Sequence, residues 1–167
     1  MNLTKNGLTI EVPDAVVVNL VLERLAGTQP TTAPRSTDVP RIGDRWPGQG
    51  GIYAGIMRGR DGAPDYHLLV GDAVETLKPI PWDKAMAAVK DMEGDGHKDY
   101  TLPFRAEQAL QFANVPELFE SEWCWSCEQP AAFPDCAWVQ RFGDGVQSYV
   151  LKSDDYRARA VRRLVIR

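Results

Sequence analysis

Residues 122–138 read EWCWSCEQPAAFPDCAW and hold all three cysteines and three of the five tryptophans of the chain. Three interpretations of this stretch are open: a zinc site, a redox Cys-x-x-Cys pair, or two packed β-strands. Side chains alternate between the faces of a strand, so Trp123 and Trp125 would point one way and Cys124 the other. Free cysteine often serves as a small buried hydrophobe. We therefore favour two core strands joined by a loop over residues 128–135.

The zinc and redox interpretations each lack a required part. A structural zinc site takes four ligands, whereas the three cysteines have no fourth ligand nearby, because His67 and His97 both lie well upstream. A redox pair needs its first thiol at the N-terminus of a helix, where the dipole lowers the thiol pKa. The residues after the pair contain two prolines and do not resemble a helix. We predict no metal and no cofactor.

The segments around this stretch predict a domain in which strands and helices are segregated. Residues 50–59 and 65–71 read as a hairpin around a turn-rich sequence. Amphipathic helices are predicted over 81–92 and 102–114. After them the hydrophobic period changes to about two, and EWCWSCE, CAWVQRF, VQSYVLKS and RARAVRRLVI read as four strands of an antiparallel meander. The predicted class is α+β.

Both helices are predicted to pack on the sheet through an apolar face. The first has a proline near its start, which suits the first turn of a helix. Its core stripe would be Trp82, Ala85, Met86 and Val89. The second helix would contribute Phe104, Ala109, Leu110 and Ala113.

A proline- and threonine-rich segment separates this domain from an N-terminal appendage. Residues 28–45 read as an extended linker, which places the main domain at 46–167. In residues 1–27, an alternating run precedes a helix bounded by Pro13 and Gly27, with a strand as the alternative because three valines adjoin. The apolar face of that helix must be buried, on the domain or against other copies of the chain. Its predicted oligomerisation residues are Val17, Leu20, Val21 and Leu25.

Charge and hydropathy bear on partners and location. The net charge of −4 gives no overall attraction to nucleic acid. The last eleven residues carry five arginines and no acid, for which we predict a solvated or internally paired strand face rather than a phosphate contact. No apolar run approaches the ~20 residues that span a bilayer, and no signal-peptide pattern opens the sequence. We expect a cytoplasmic protein without membrane contact and with reduced cysteines.

Six segments occur in an order that resembles a known family: GGIYAGIMRG, DYHLL, LPFRAEQALQFAN, EWCWSCEQ, AWVQRFGDG and KSDDYRARAVRRL. Together, over about residues 46–166, they are similar to the phage- and bacteria-encoded domain family typified by the C-terminal domain of the Legionella collagen-like adhesin. The resemblance implies a C-type-lectin-like fold, with two helices packed on a small antiparallel sheet, and a ligand-binding scaffold rather than a catalyst. The chain departs from the pattern at Phe104, where threonine is usual, and at Cys124 and Cys127, where an aromatic residue and serine are common.

The resemblance also implies a position for the ligand face. In such scaffolds the late strands and their connections present it, here within residues 128–156. Calcium-dependent sugar binding is not indicated, because Gln129 and Pro130 are followed by alanine rather than by a ligand residue. The alternative is that the two aromatic residues of the second strand belong to the core. The predicted ligand-binding residues are Trp138, Gln140, Arg141, Phe142, Asp144, Gln147 and Tyr149.

These inferences combine into a functional hypothesis. We expect a non-enzymatic binding module, encoded by a phage or prophage, that recognises a protein partner of the virion or host, or a cell-surface ligand. The alternative is an intracellular phage effector that binds and inhibits a host factor or defence complex. Both place the protein in the cytoplasm of the host cell, with association with the virion open, and both allow homo-oligomers through the N-terminal segment. Enzymatic cysteine chemistry has the support of fold analogy alone, with formylglycine-generating enzymes.

Overall fold

The computed structural model describes residues 2–5, 8–11, 38–71 and 77–166. The chain divides into two units, Met1–Arg35 and Ser36–Arg167. Within the described ranges, no helix has both the length and the apolar character needed to cross a bilayer. The elements are, in chain order, β1 (Asn2–Lys5), β2 (Leu8–Glu11), β3 (Arg45–Trp46), β4 (Gly51–Met57), β5 (Tyr66–Gly71), β6 (Leu77–Ile80), α1 (Trp82–Lys90), α2 (Arg105–Asn114), a 3-10 turn (Pro116–Leu118), β7 (Trp123–Trp125), β8 (Cys136–Arg141), β9 (Gln147–Leu151), β10 (Tyr156–Ala158) and β11 (Val161–Val165).

In the first unit, β1 and β2 form a two-stranded antiparallel sheet. The alternating run of the sequence is confirmed as β2, whereas β1 was not predicted. The helix predicted between Pro13 and Gly27 lies outside the described residues. The same holds for its proposed oligomerisation residues, Val17, Leu20, Val21 and Leu25.

The second unit contains a four-stranded antiparallel sheet in the order β11-β5-β4-β3. The predicted hairpin is confirmed as β4 and β5. Leu68, Leu69 and Val70 of β5 are fully buried, since both faces of this central strand are covered. The end of the predicted linker joins the sheet, because the N–H of Gly43 donates to the carbonyl of Tyr53 at 2.9 Å. The linker upstream of residue 38 lies outside the described part.

The other sheet of this unit has five strands in the order β6-β10-β7-β8-β9. Strands β7, β8 and β9 are antiparallel, as the predicted meander requires. The prediction was wrong for the last strand, which divides into β10 and β11 in different sheets, and β10 runs parallel to β7. The implied single small antiparallel sheet is therefore corrected to two sheets. Alternation in the sequence predicts a strand but does not specify the strand with which it pairs.

Helix α1 packs on the main core as predicted. Trp82, Ala85 and Val89 are buried in one cluster with Trp125. The indole N–H of Trp82 donates to the carbonyl of Ser126 at 2.8 Å, so the helix start is tied to the end of β7.

Helix α2 is confirmed, and Leu110 of its predicted core face packs against buried residues, but the two alanines of that face do not. Ala109 and Ala113 are exposed, and the helix buries Glu107, Gln108 and Gln111 instead. Gln108 donates its amide N–H to the carbonyl of Cys124 at 3.0 Å. Buried polar groups are tolerated when they are hydrogen-bonded, and this bond lets an amide occupy a core position. The correct face could not be predicted from hydropathy.

A buried ion pair joins α2 to the four-stranded sheet. Glu107 is 0% exposed. Its Oε1 and Oε2 accept hydrogen bonds from Nε and Nη2 of Arg163 at 2.6 and 2.7 Å. The hydroxyl of Tyr66 donates to Oε1 at 2.7 Å, and the N–H of Phe104 donates to Oε2 at 2.7 Å. Burial, followed by the bond to Glu107, raises the pKa of Tyr66 to about 12.

The described arginines of the C-terminal run make internal contacts, which confirms that part of the sequence prediction. Arg157 forms an ion pair with Glu120 at 2.7 Å, and Nε of Arg162 contacts Asp99 at 2.6 Å. Arg163 is the partner of the buried Glu107. These three positive charges are therefore matched by acids brought in from other segments.

Candidate functional site

A groove of about 660 Å³ lies between α2 and the β8–β9 hairpin. One wall is the solvent-facing side of α2, and the other is formed by side chains of the hairpin. The lining comes from α2 (Arg105, Ala106, Ala109, Phe112), the hairpin (Gln140, Asp144, Gly145, Gln147) and two loops (Arg60, Glu128).

The position of Arg105 is fixed by three contacts. Its guanidinium carbon lies 3.5 Å from the ring centroid of Trp138. Its Nε donates to Oε1 of Gln147 at 3.1 Å, and Nε2 of Gln147 donates back to the carbonyl of Arg105 at 2.8 Å. Stacking on tryptophan is the strongest form of cation–π contact. A guanidinium held in this way has lost most of its conformational freedom before any ligand arrives.

A chain of glutamine amides connects this arginine to the core. Nε2 of Gln147 donates to Oε1 of Gln140 at 2.7 Å, and Nε2 of Gln140 donates to the carbonyl of Gln108 at 3.0 Å. Gln108 in turn donates to the carbonyl of Cys124. The hairpin, α2 and β7 are thus joined by consecutive hydrogen bonds, which stiffen the groove.

Glu128 closes the end of the groove at the N-terminus of α2. Its Oε2 accepts the backbone N–H of Arg105 at 2.5 Å, and its Oε1 accepts a hydrogen bond from Arg60 at 3.3 Å. A carboxylate at this position satisfies a free N–H and suits the helix dipole.

Three aromatic side chains extend from the groove across the sheet, and we call them the aromatic ladder: Trp138, Tyr149 and Phe133. Tyr149 makes an edge contact with Trp138 at a centroid distance of 5.3 Å and stacks on Phe133 at 5.2 Å. Phe133 is 47% exposed and Tyr149 is 41% exposed. Large exposed aromatic residues next to a polar groove are typical of recognition surfaces.

The structure brings most of the predicted ligand-binding residues together. Gln140, Asp144 and Gln147 line the groove. Trp138 and Tyr149, which also belong to the predicted set, are part of the aromatic ladder. Their role in binding a ligand stays a prediction.

Two residues of the predicted set lie elsewhere. Phe142 is only 5% exposed and stacks on Phe119 at 3.7 Å, so it is a core residue and is removed from the candidate face. Arg141 lies over the ring of Trp123 and pairs with Asp144 at the tip of the hairpin. Alternation along the second strand predicted that Trp138, Gln140 and Phe142 share one face. That face is covered at the Phe142 end, where Phe142 stacks on Phe119.

Sequence reasoning missed Arg105 as part of this surface, and it placed Phe133 within the predicted region of residues 128–156 without naming it as a ligand-binding residue. Arg105 is on α2, far from the hairpin in sequence, and no local pattern connects it with Trp138. Phe133 is the one large apolar residue in the proline-containing loop over 128–135. An isolated aromatic residue in such a loop was the available signal.

The cysteines are free thiols; Cys124 is buried, and Cys127 and Cys136 are half-buried. Burial raises the pKa of Cys124 to about 12 and that of Cys127 to about 11. Among the described residues, no group of three His, Cys, Asp or Glu side chains is placed to hold a metal ion. A raised pKa disfavours the thiolate, which is the reactive form.

Iodoacetamide at pH 8 is expected to leave Cys124 unmodified in the folded protein. With a pKa of about 12, its thiolate fraction at that pH is on the order of 10⁻⁴, and the side chain is 3% exposed. Peptide mass spectrometry after timed labelling measures the modification of each cysteine. Labelling in 6 M guanidinium chloride, which should modify all three, is the control. Rapid native labelling of Cys124 would show that the strand opens.

No protein-family model matches this chain, and no curated protein matches it in sequence.

Proposed function

We propose that the domain over residues 46–167 is a non-enzymatic binding module of phage or prophage origin with a C-type-lectin-like fold. Its ligand face consists of the groove and the aromatic ladder, and its ligand is a protein partner or a cell-surface molecule. The observation that carries the proposal is Arg105, which is held on Trp138 by Gln147 at the junction of groove and ladder.

Preorganisation supports this assignment. Binding costs less free energy when the contacting side chains are already ordered, and Arg105 is ordered by stacking and by two hydrogen bonds with Gln147. Arginine and aromatic residues are also the types that dominate binding energy in protein interfaces. The alanines of α2 leave room beside the guanidinium for a side chain of a partner.

The chemistry of the cysteines supports the non-enzymatic part of the proposal. Nucleophilic cysteines have lowered pKa values and partial exposure, whereas burial raises the pKa of both Cys124 and Cys127. Their positions within the packed β7 region suit a structural role.

A photo-crosslinking amino acid at Ala109 tests the proposal, because this exposed residue lies on the groove wall. The protein would be expressed in the bacterium that carries the gene and also presented to intact cells of it. We expect one dominant crosslinked species, whose yield falls when Arg105→Ala is added. The purified partner should bind the Arg105→Ala variant about tenfold or more weakly.

The matched control carries the crosslinker at Lys98, whose side chain is 72% exposed and does not line the groove. Equal crosslinking from both positions, or equal yield with and without Arg105, contradicts the proposal. The compartment of the recovered partner separates the two hypotheses from the sequence. A surface or virion protein indicates a receptor-binding role, and a cytoplasmic protein indicates an effector.

A further inference from the structure

Strand β9 is an edge strand of the five-stranded sheet. The N–H of Arg141 donates to the carbonyl of Val146, and the N–H of Lys152 donates to the carbonyl of Asp135. On the β9 side, these bonds involve Val146 and Lys152. In β9, therefore, the even-numbered residues are the ones whose backbone N–H and C=O groups point toward β8. Because this direction alternates along a strand, the N–H and C=O groups of Gln147 and Tyr149 and the N–H of Leu151 point away from the sheet.

The other edges of the two larger sheets carry devices that discourage strand addition. Strand β6 contains Lys78 and Pro79, and proline cannot donate to a new ladder. Strand β3 has only two residues. Strand β11 carries Arg162 and Arg163 and is bridged at its start by Thr101. Short length, charge and proline are the usual means of protecting an edge.

Strand β9 has none of these devices. Its sequence, QSYVL, contains no charge and no proline, and its register with β8 is continuous over all five residues. Two of its side chains are large, apolar and exposed: Tyr149 at 41% and Leu151 at 52%. An uncharged edge with exposed apolar residues is a template for another strand.

We infer that β9 pairs with β9 of a second copy of the chain, antiparallel and across a two-fold axis at Tyr149. In that register the N–H and C=O of Tyr149 bond to those of Tyr149 of the second copy. The carbonyl of Gln147 accepts from the N–H of Leu151 across the axis. The axis is perpendicular to the sheet, so each side chain keeps its face, and the aromatic ladder continues from one copy into the other.

A second copy is the favoured occupant because this edge complements itself. Antiparallel pairing of identical strands is an isologous contact, which closes as a dimer. The absence of charge on β9 removes the repulsion that identical charged edges would meet. This interface lies on the outer side of β9, so the inference goes beyond the proposed function and does not depend on a ligand in the groove.

The chain of 167 residues is expected to behave as a dimer in sedimentation equilibrium and light scattering, with about twice the monomer mass of 18.6 kDa. Tyr149→Lys, which places two lysines at the axis, should raise the dissociation constant about tenfold or more. Tyr149→Phe should leave it unchanged, since the pairing uses only the backbone and the ring. Ala63→Lys adds the same charge in an exposed turn and should also leave it unchanged. Leu151→Lys is the second edge variant if Tyr149→Lys does not fold.

Amide hydrogen exchange by NMR identifies the interface directly. The amide of Tyr149 should be protected in the dimer and should exchange rapidly after dilution to monomer, whereas the amide of Ser148 stays protected in both. A monomer at all concentrations overturns the inference. So does a dimer in which the Tyr149 amide exchanges rapidly, because such a dimer uses another surface, for example the N-terminal segment.

Discussion

Replacing Glu107 by alanine is expected to lower the free energy of unfolding by about 3–5 kcal/mol, which is the cost of breaking one side of a buried ion pair. Glu107 is completely buried, and its carboxylate accepts two hydrogen bonds from Arg163 and one from Tyr66. Without it, the half-buried guanidinium of Arg163 loses its counter-charge and both hydrogen bonds. Chemical denaturation monitored by tryptophan fluorescence measures the change.

Two controls separate the ion pair from the loss of side-chain volume. Glu117→Ala removes an exposed glutamate ten residues downstream and should change the stability by less than about 0.5 kcal/mol. The double variant Glu107→Leu, Arg163→Met replaces both charges with apolar groups and should recover part of the loss; the rest remains because Tyr66 and Phe104 lose their acceptor. A loss below about 1 kcal/mol for Glu107→Ala would falsify the assignment of this pair as a buried anchor.

Replacing Trp125 by alanine is expected to cost about 3–5 kcal/mol, as is typical of a large core aromatic residue. Trp125 is 0% exposed. Its indole N–H donates to the carbonyl of Ile80 at 2.8 Å, and its ring contacts Tyr156 edge to face at 5.2 Å. The substitution therefore leaves a cavity and also a carbonyl of β6 without its donor. The midpoint and slope of urea unfolding give the change.

Trp123 is the matched control because it lies two residues away on the same strand. It is only partly buried, and the guanidinium of Arg141 lies over its ring. Trp123→Ala is expected to cost about 1 kcal/mol. Equal losses for the two tryptophans would contradict the assignment of Trp125, rather than Trp123, as the core tryptophan of β7.

The stretch over residues 122–138 shows how far the sequence could predict the structure. Alternation correctly predicted two antiparallel strands, and Cys124, which was assigned to packing, is buried. Alternation could not predict that β7 would be covered on both sides, with Cys124 and Trp125 both buried. Helix α2 covers the second face of β7, and its Gln108 donates a hydrogen bond to the carbonyl of Cys124. A helix that packs with glutamines carries no hydrophobic signature of its buried face.

The part of the candidate site that lies on the β8–β9 hairpin could be predicted from the sequence. Gln147 and Tyr149 were predicted from the position that the resemblance implies for the ligand face and from their residue types, and they lie in the groove and in the aromatic ladder, respectively. Arg105 completes the site from α2, more than forty positions upstream. Such a contact depends on the packing of α2 against the hairpin, which no local spacing encodes.

The sequence by itself determined the positions of the main hairpin, of both helices and of the strands β7, β8 and β9. These follow from hydrophobic period, turn residues and helix boundaries, which act over a few neighbouring residues. Only the tertiary structure decided which strands pair, which face of α2 is buried and where Arg105 lies. Those outcomes depend on hydrogen bonds and ion pairs between distant segments, as between Glu107 and Arg163. These hydrogen bonds and ion pairs stabilise the protein only once the domain has folded, because only then are their partners close together.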